Sequence, residues 1–281
     1  YVFEAILTIR FPQNLSDNLY NHLSRIGFWL QQGSLKHYTG FSPIGTFYPY
    51  NNSLLATLPI VFLKTDRFVG LVQYSAAIMA AVAIYLLAEK LGFSRKSSAI
   101  VALLFLTYPI ILFEAITVQN DLLAACFCIC AFAFLVTGFE KDRSMYLIIS
   151  KLSLALALGT NQYTLFALPG YALLLMYYIF AKRQVRRIWK WLAVMAVFTL
   201  LVGSYSYLQN AVVLGNPLGP KGFLQQVVKF EDPNEFLSRA RTNSARLFAQ
   251  FISCDGLPPG MEITCLKGGA SILGPLLPKN I

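Results

Sequence analysis

Long apolar runs, each broken by a short charged or polar stretch, fill most of the chain. Runs near the ~20-residue length that crosses a bilayer predict membrane spans at approximately 68–88, 97–114, 121–139, 144–159, 163–181 and 188–208. Residues 10–66 do not span. Within them Leu19, Leu23, Ile26 and Leu30 recur at helical spacing, with Tyr20 and Trp29 beside them and Asn18, His22 and Arg25 as a polar stripe. That pattern predicts a helix lying in the membrane interface, with Ser16 as its N-cap and Gly33 as its stop. A loop rich in Pro, Gly and Tyr follows from Tyr38 to Asn52. Ser53–Leu63 is apolar, too short to span and contains Pro59, so it reads as a re-entrant or interfacial piece. Tyr1–Ile9 reads as the outer end of a first span that is cut off, and the last residues stop where a new apolar segment would begin, as in a fragment of a longer protein. Beyond the spans the chain turns polar, and Phe236–Phe251 has the pattern of a short amphipathic helix. The expected fold is an all-α polytopic membrane protein in three parts. Residues 1–66 carry the first outer loop, 67–208 the helical core of about six spans, and 209–281 an outer polar region.

Composition sharpens this picture. Of 281 residues, 56% are hydrophobic and only 13% charged, about half the charged fraction of soluble domains. The net charge of +10 does not point to nucleic acid, because much of it sits in loops between spans. Lys90, Arg95 and Lys96 follow the first span, Lys141 and Arg143 the third, and Lys182, Arg183, Arg186, Arg187 and Lys190 the fifth. The intervening loops, 115–120 and 160–162, contain no Lys or Arg. Positive loops stay in the cytoplasm, which puts Asp17, Glu114, Asp121, Asn161 and the region after Asn210 on the outer side. Cys126, Cys128 and Cys130 fall inside one span at alternate positions, on different helix faces, and read as small packing residues. Cys254 and Cys265 share a late polar loop, where an oxidising compartment would permit a disulfide. Asn14-Leu-Ser16 and Asn51-Asn-Ser53 match the short N-glycosylation pattern.

The candidate chemistry lies at the outer ends of the spans. Asp17 opens the interfacial helix, where the helix dipole favours an ionised carboxylate able to act as a general base. Asp121 follows Asn120 at the start of a span. Taken alone, either acid serves equally well as an ordinary helix-start residue. The neighbourhood says more: Glu114, Thr117, Gln119, Asn120 and Asp121 crowd one short turn with hydrogen-bonding groups. His22 reads as a base, a metal ligand or a headgroup-facing residue, and no second histidine at ligand spacing points to zinc. Arg25, Lys36 and His37 are cations suited either to a phosphate or to anionic lipid headgroups. No P-loop, dinucleotide fingerprint or serine-nucleophile motif occurs.

Four segments in order carry a family resemblance: Asp17–Ser34, Pro109–Asp121, Leu156–Tyr163, and Asn210 with Gly215-Asn-Pro-Leu218. Together they resemble the family 39-like membrane glycosyltransferases of the GT-C superfamily, relatives of the protein O-mannosyltransferases and the lipid A aminoarabinose transferase. The resemblance implies a GT-C-like helical bundle in a bacterial inner membrane. It implies transfer of a sugar, with inversion, from a polyprenyl-phosphate donor to a lipid, glycan or protein acceptor at the outer face. Asp17 and Asp121 match its acidic catalytic positions; many relatives carry a second acid after the first, where this chain has Asn18. His22, Arg25, Lys36, His37, Glu114 and Asn120 are the candidate substrate contacts. No cofactor is fixed by the residues, and a divalent metal is left open. A polytopic transporter or lipid flippase is the competing expectation, but its polar groups belong near the midplane. A membrane scaffold is a third, and it requires no site uniting Asp17 with Asp121.

Overall fold

The computed structural model describes residues 1–38, 43–222 and 239–244. Cys254, Cys265 and most of the expected Phe236–Phe251 helix lie outside those residues, although 239–244 are helical. The described chain is helical with no strand, so the all-α membrane fold holds. It begins with α1 (Val2–Arg10), a π-helical segment Asn18–Leu23 that runs straight into α2 (Ser24–Gln32), α3 (Pro43–Phe47) and α4 (Asn51–Leu63). The core follows as α5 (Leu71–Lys90), α6 (Arg95–Thr107), α7 (Pro109–Ala115), α8 (Asp121–Glu140) and α9 (Ser144–Thr160). A 3₁₀ segment Gln162–Ala167 leads into α10 (Leu168–Phe180), and α11 (Val185–Phe198) passes through the π segment Thr199–Gly203 to α12 (Tyr205–Leu214).

Three of these stretches are long and apolar enough to cross a membrane alone: Leu71–Lys90, Asp121–Glu140 and Gln162–Phe180. Two expected single spans are broken. The chain bends by 66° between α6 and α7 and by 68° between Gly203 and α12. The first bend has a local cause. Pro109 has no N–H to continue the ladder and disfavours helical geometry in the residue before it. Tyr108 is accordingly extended, at φ −63° and ψ 129°. Counting each bent pair as one span gives up to five, and α9 is a shorter apolar helix. The second bend carries α12 onward to Leu214, past the end expected for the last span at 208.

Small residues set the helix seams. Ala76, Ala77 and Ala80 of α5 are buried against Leu122, Leu123 and Cys126 of α8, and such residues let membrane helices approach closely. The three span cysteines are free; Cys126 belongs to this seam. At the other end of α8, Leu135 and Phe139 pack with Leu147, Leu154, Tyr178, Ile188 and Trp191. The basic loops gather at that end: Lys90 Nζ meets Glu140 at 3.0 Å, and Arg187 meets Asp142 at 2.8 Å. Asp121 starts the same helix, about 30 Å away for twenty residues at 1.5 Å each.

The expected helix is present as the π-helical segment and α2, with its polar stripe turned inward. Asn18, His22 and Arg25 are buried, together with Ile26 and Trp29, while Leu19 is 45% and Leu30 46% exposed. Where the surroundings are lipid, apolar side chains are free to face out and polar ones need partners within the protein. Ser16 is already helical rather than a cap, the Leu15 carbonyl accepting from Leu19 N–H at 3.1 Å. Gly33 stops the helix as expected, at φ +61°. Asn51, from the second glycosylation-like triplet, donates inward to the Val202 carbonyl at 2.9 Å.

Candidate active site

The loop between α7 and α8 is the floor of the site, and amide side chains from distant parts of the chain hold it. Gln13 Nε2 donates to the Ile116 carbonyl at 3.0 Å. Asn52 Nδ2, on α4, donates to the Val118 carbonyl at 2.8 Å. Gln73 of α5 accepts from the Leu123 N–H at 2.8 Å, satisfying one of the free donors in the first turn of α8. Beneath the loop, Val118 packs with Ile26, Ala56 and Val69. The apolar plug and the amide clamps fix the backbone that carries Glu114, Gln119, Asn120 and Asp121.

On that floor the acids are bound into one network. Asn120 is buried and donates to the Thr160 carbonyl at 2.8 Å. Asn161 Nδ2 lies 3.0 Å from both Asn120 Oδ1 and Asp121 Oδ1. Its own Oδ1 accepts from the Tyr163 N–H at 2.9 Å and caps the 3₁₀ segment. Gln119, with its amide nitrogen toward the acids, donates to Glu114 at 3.0 Å and to Asp121 Oδ2 at 3.3 Å. Asp121 is exposed despite these bonds, and Glu114 is half-buried.

Asp17 comes from the other wall. Its side chain is 49% exposed, Asn21 Nδ2 donates to its Oδ1, and His22 Nε2 stands 3.7 Å from its Oδ2. Burial, with the Arg25 cation nearby, pushes the His22 imidazole down to about 3. The Asp17–His22 approach is within ion-pair distance, but a neutral ring makes it a long polar contact at neutral pH. Across the site Asp17 and Asp121 repel each other electrostatically, and Glu114 feels both charges. The two acids singled out in the sequence therefore share one electrostatic neighbourhood, with Glu114 as a third member.

The π-helical segment positions this wall. Ser24 N–H reaches back five residues to the Leu19 carbonyl, inserting an extra residue per turn, as such segments often do at functional sites. Arg25 then enters the protein rather than the site. It is 2% exposed, with Nε donating to the Gly45 carbonyl at 2.5 Å, one terminal nitrogen to Ser53 Oγ at 3.3 Å and the other to the Tyr48 carbonyl at 3.2 Å. Its guanidinium also lies over the Tyr50 and Trp29 rings, at 5.2 and 5.9 Å. Burial lowers it to about 10, so it stays charged at neutral pH. It ties α2 to the loop before α4, and its donors are largely spent on that task.

Lys36 is exposed, while its carbonyl accepts from Gln32. His37 is half-buried and burial lowers its imidazole, the Asn210 side chain opposing that shift. Asn210 anchors α12, donating to the Phe47 carbonyl at 2.8 Å and to that of Pro217 at 3.0 Å. Tyr48 reaches toward Gln162 and Tyr163, and burial with the Tyr163 contact raises its phenol to about 12. Among the described residues no three His, Cys, Asp or Glu side chains are arranged to hold a metal. Asn161 is the main site residue not proposed for a role from the sequence, although it lies in the Leu156–Tyr163 motif. Gln13 and Asn21 left no sequence signal, being ordinary amides in a polar loop.

An all-helical membrane protein with acids gathered at one end of its bundle defines a class. The family model for dolichyl-phosphate-mannose-protein mannosyltransferase matches residues 49–207. The chain belongs to that family and to the GT-C superfamily of membrane glycosyltransferases. The match takes in Glu114, Asn120, Asp121 and Asn161, whereas Asp17, His22, Arg25, Lys36 and His37 precede it. No curated protein and no solved structure matches the chain.

Proposed function

We propose that the chain transfers a sugar from a polyprenyl-phosphate donor to an acceptor hydroxyl at the outer face of the membrane, with Asp17 as general base. The acceptor O–H gives its proton to the Asp17 carboxylate while its oxygen forms the new bond to the anomeric carbon. The bond from that carbon to the phosphate oxygen breaks on the opposite face, so the configuration inverts and polyprenyl phosphate leaves. One observation carries the reading: Asp17, Glu114 and Asp121 meet as electrostatic neighbours at the end of α8 remote from the basic loops. By the positive-inside rule that end is the outer one, where such a donor presents its sugar and phosphate while its chain stays in the bilayer.

The two acids are both exposed and differ in what holds them. Asp121 is tied to Asn161 and Gln119, which suits a group that orients its neighbours. Asp17 is half-exposed and held mainly by Asn21 and His22, which suits a group that must exchange a proton. Lys36, being exposed, is the better placed of the proposed phosphate contacts than the buried Arg25. The test is to incubate the purified full-length protein with labelled polyprenyl-phosphate sugars and follow both sugar transfer and released lipid phosphate. Donor-dependent transfer that disappears in Asp17→Asn supports the reading. A folded protein that binds these donors and transfers nothing to any lipid, glycan or protein acceptor overturns it.

A further inference from the structure

A cavity of about 400 Å³ lies beside the acid loop, between the end of α1, the start of the π-helical segment and α7. Phe11, Leu15 and Phe113 line it and are exposed, so the mouth is apolar; Ile116 and Thr117 lie deeper along the loop. Its size is that of a small-molecule site, and such sites pair apolar walls with a few polar groups. Asn18 is the polar wall that stands out. It is 1% exposed.

A relay of amides fixes which way Asn18 points. The Ile116 carbonyl can only accept, so Gln13 turns its nitrogen to it, at 3.0 Å. Gln13 Oε1 then faces Asn18 and takes its Nδ2 at 2.7 Å. Asn18 Oδ1 is left buried without a donor. Buried polar atoms are rarely unpartnered, and a lone acceptor of this kind calls for an N–H or O–H.

We propose that this cavity is an acceptor subsite: it takes the apolar body of a membrane-embedded amphiphile whose N–H or O–H group donates to Asn18 Oδ1. A prenyl chain has no donor and would leave the oxygen orphaned. A phosphate would set an anion against an acceptor atom. A sugar would set its hydroxyls against the Phe11, Leu15 and Phe113 mouth. An amphiphile arriving through the bilayer satisfies both the apolar mouth and the lone acceptor. The cavity's Ile116–Thr117 wall belongs to the loop that leads to Asp121, and Asn18 follows Asp17 in the chain, so an acceptor anchored there lies beside the acids. Its role as acceptor subsite rests on the glycosyl-transfer reading; binding of the amphiphile does not.

The test uses the full-length protein in nanodiscs with Phe113→Trp as a reporter at the cavity mouth, the unsubstituted protein giving the background of the native tryptophans. Three quenchers share one carbon chain: 2-bromodecan-1-ol, its methyl ether, and 2-bromodecane. The alcohol should quench the reporter at about fivefold lower concentration than the other two, the worth of one neutral hydrogen bond. Adding Asn18→Leu should erase that advantage. Because the ether and alkane arms vary only the ligand, the comparison survives even if Asn18→Leu fails to fold. Equal quenching by all three would mean a groove for chains alone and would overturn the proposal. So would displacement of the alcohol by a short serine peptide at lower concentration than by decanol. In the transfer assay Asn18→Leu should raise the KM for a lipid acceptor about fivefold with a smaller change in kcat. Alcohol preference without any sugar transfer would leave the cavity standing and remove the transferase reading.

Discussion

At the scale of single residues, Asp17 is the proposed base and His22 the group from which a pH response is expected. Asp17→Asn keeps size and hydrogen bonding but removes the basic oxygen. Turnover should fall by about 10²-fold or more with donor binding largely kept, as measured by single-turnover transfer on the folded protein. A residue acting only at a helix start would give another result, since Asn is as good there as Asp. Near-normal transfer by Asp17→Asn would remove Asp17 as the base. For His22, the folded value of about 3 lies below the ordinary 6.5. Below pH 6.5 the unfolded chain gains a proton that the folded chain refuses. Stability is therefore full above that pH and is lost as pH falls toward 3, by at most ~1.4 kcal/mol per pH unit from this group. Thermal midpoints in detergent should drop between pH 7 and pH 5, and His22→Gln should flatten the decline. An equally steep decline in both proteins would show that His22 is not the cause.

At the scale of elements, close approaches between helices decide how the site is held. A Cβ added at Gly159 of α9 would lie 2.4 Å from Asn51 Nδ2, 2.8 Å from the Val202 carbonyl and 2.9 Å from Gly203 Cα. Two of those neighbours are backbone and cannot swing away, so Gly159→Ala must push α9 from the π segment after α11. It should cost about 1–3 kcal/mol, typical of overpacking, read as a lower melting temperature. Asn161 stands two residues on, so transfer should weaken as well. Gly27 of α2 is the control, having nothing within 4 Å of a new Cβ. Gly27→Ala should be neutral or stabilising by about 0.4–1 kcal/mol. Equal melting temperatures for the two variants would contradict the packing argument. The same scale shows what sequence reading reached. Apolar run length found α5, α8 and α10, because lipid demands continuous apolar surface from any span. It missed the π-helical segment, because periodicity assumes 3.6 residues per turn and the wider turn shows only in the hydrogen-bond ladder, as in the Ser24 N–H to Leu19 carbonyl bond. It also missed the bend at Tyr108, although Pro109 was visible, since membrane helices often tolerate proline.

At the scale of the whole molecule, the acids were legible because carboxylates are rare in apolar sequence. Their partners were not: Gln13, Asn52, Gln73 and Asn161 reach the acid loop from four separate parts of the chain, which only tertiary structure brings together. The same fold gives the bundle two chemically different ends. Lys90, Glu140, Asp142 and Arg187 pair across one end, and the carboxylate network occupies the other. The charge asymmetry makes the orientation testable by single-cysteine labelling of intact cells, in a background without the five native cysteines. Gln162→Cys and Asn216→Cys should react with an impermeant maleimide from outside. Arg95→Cys and Arg186→Cys, at exposed positions of the basic loops, should react only after permeabilisation. The positive-inside rule rests on retention of Lys and Arg in short cytoplasmic loops, and these loops are short and carry most of the core's cations. Labelling at 95 from outside would invert the molecule. Asp17 and Asp121 would then face the cytoplasm, and the outer-face donor geometry proposed for them would fail with the orientation.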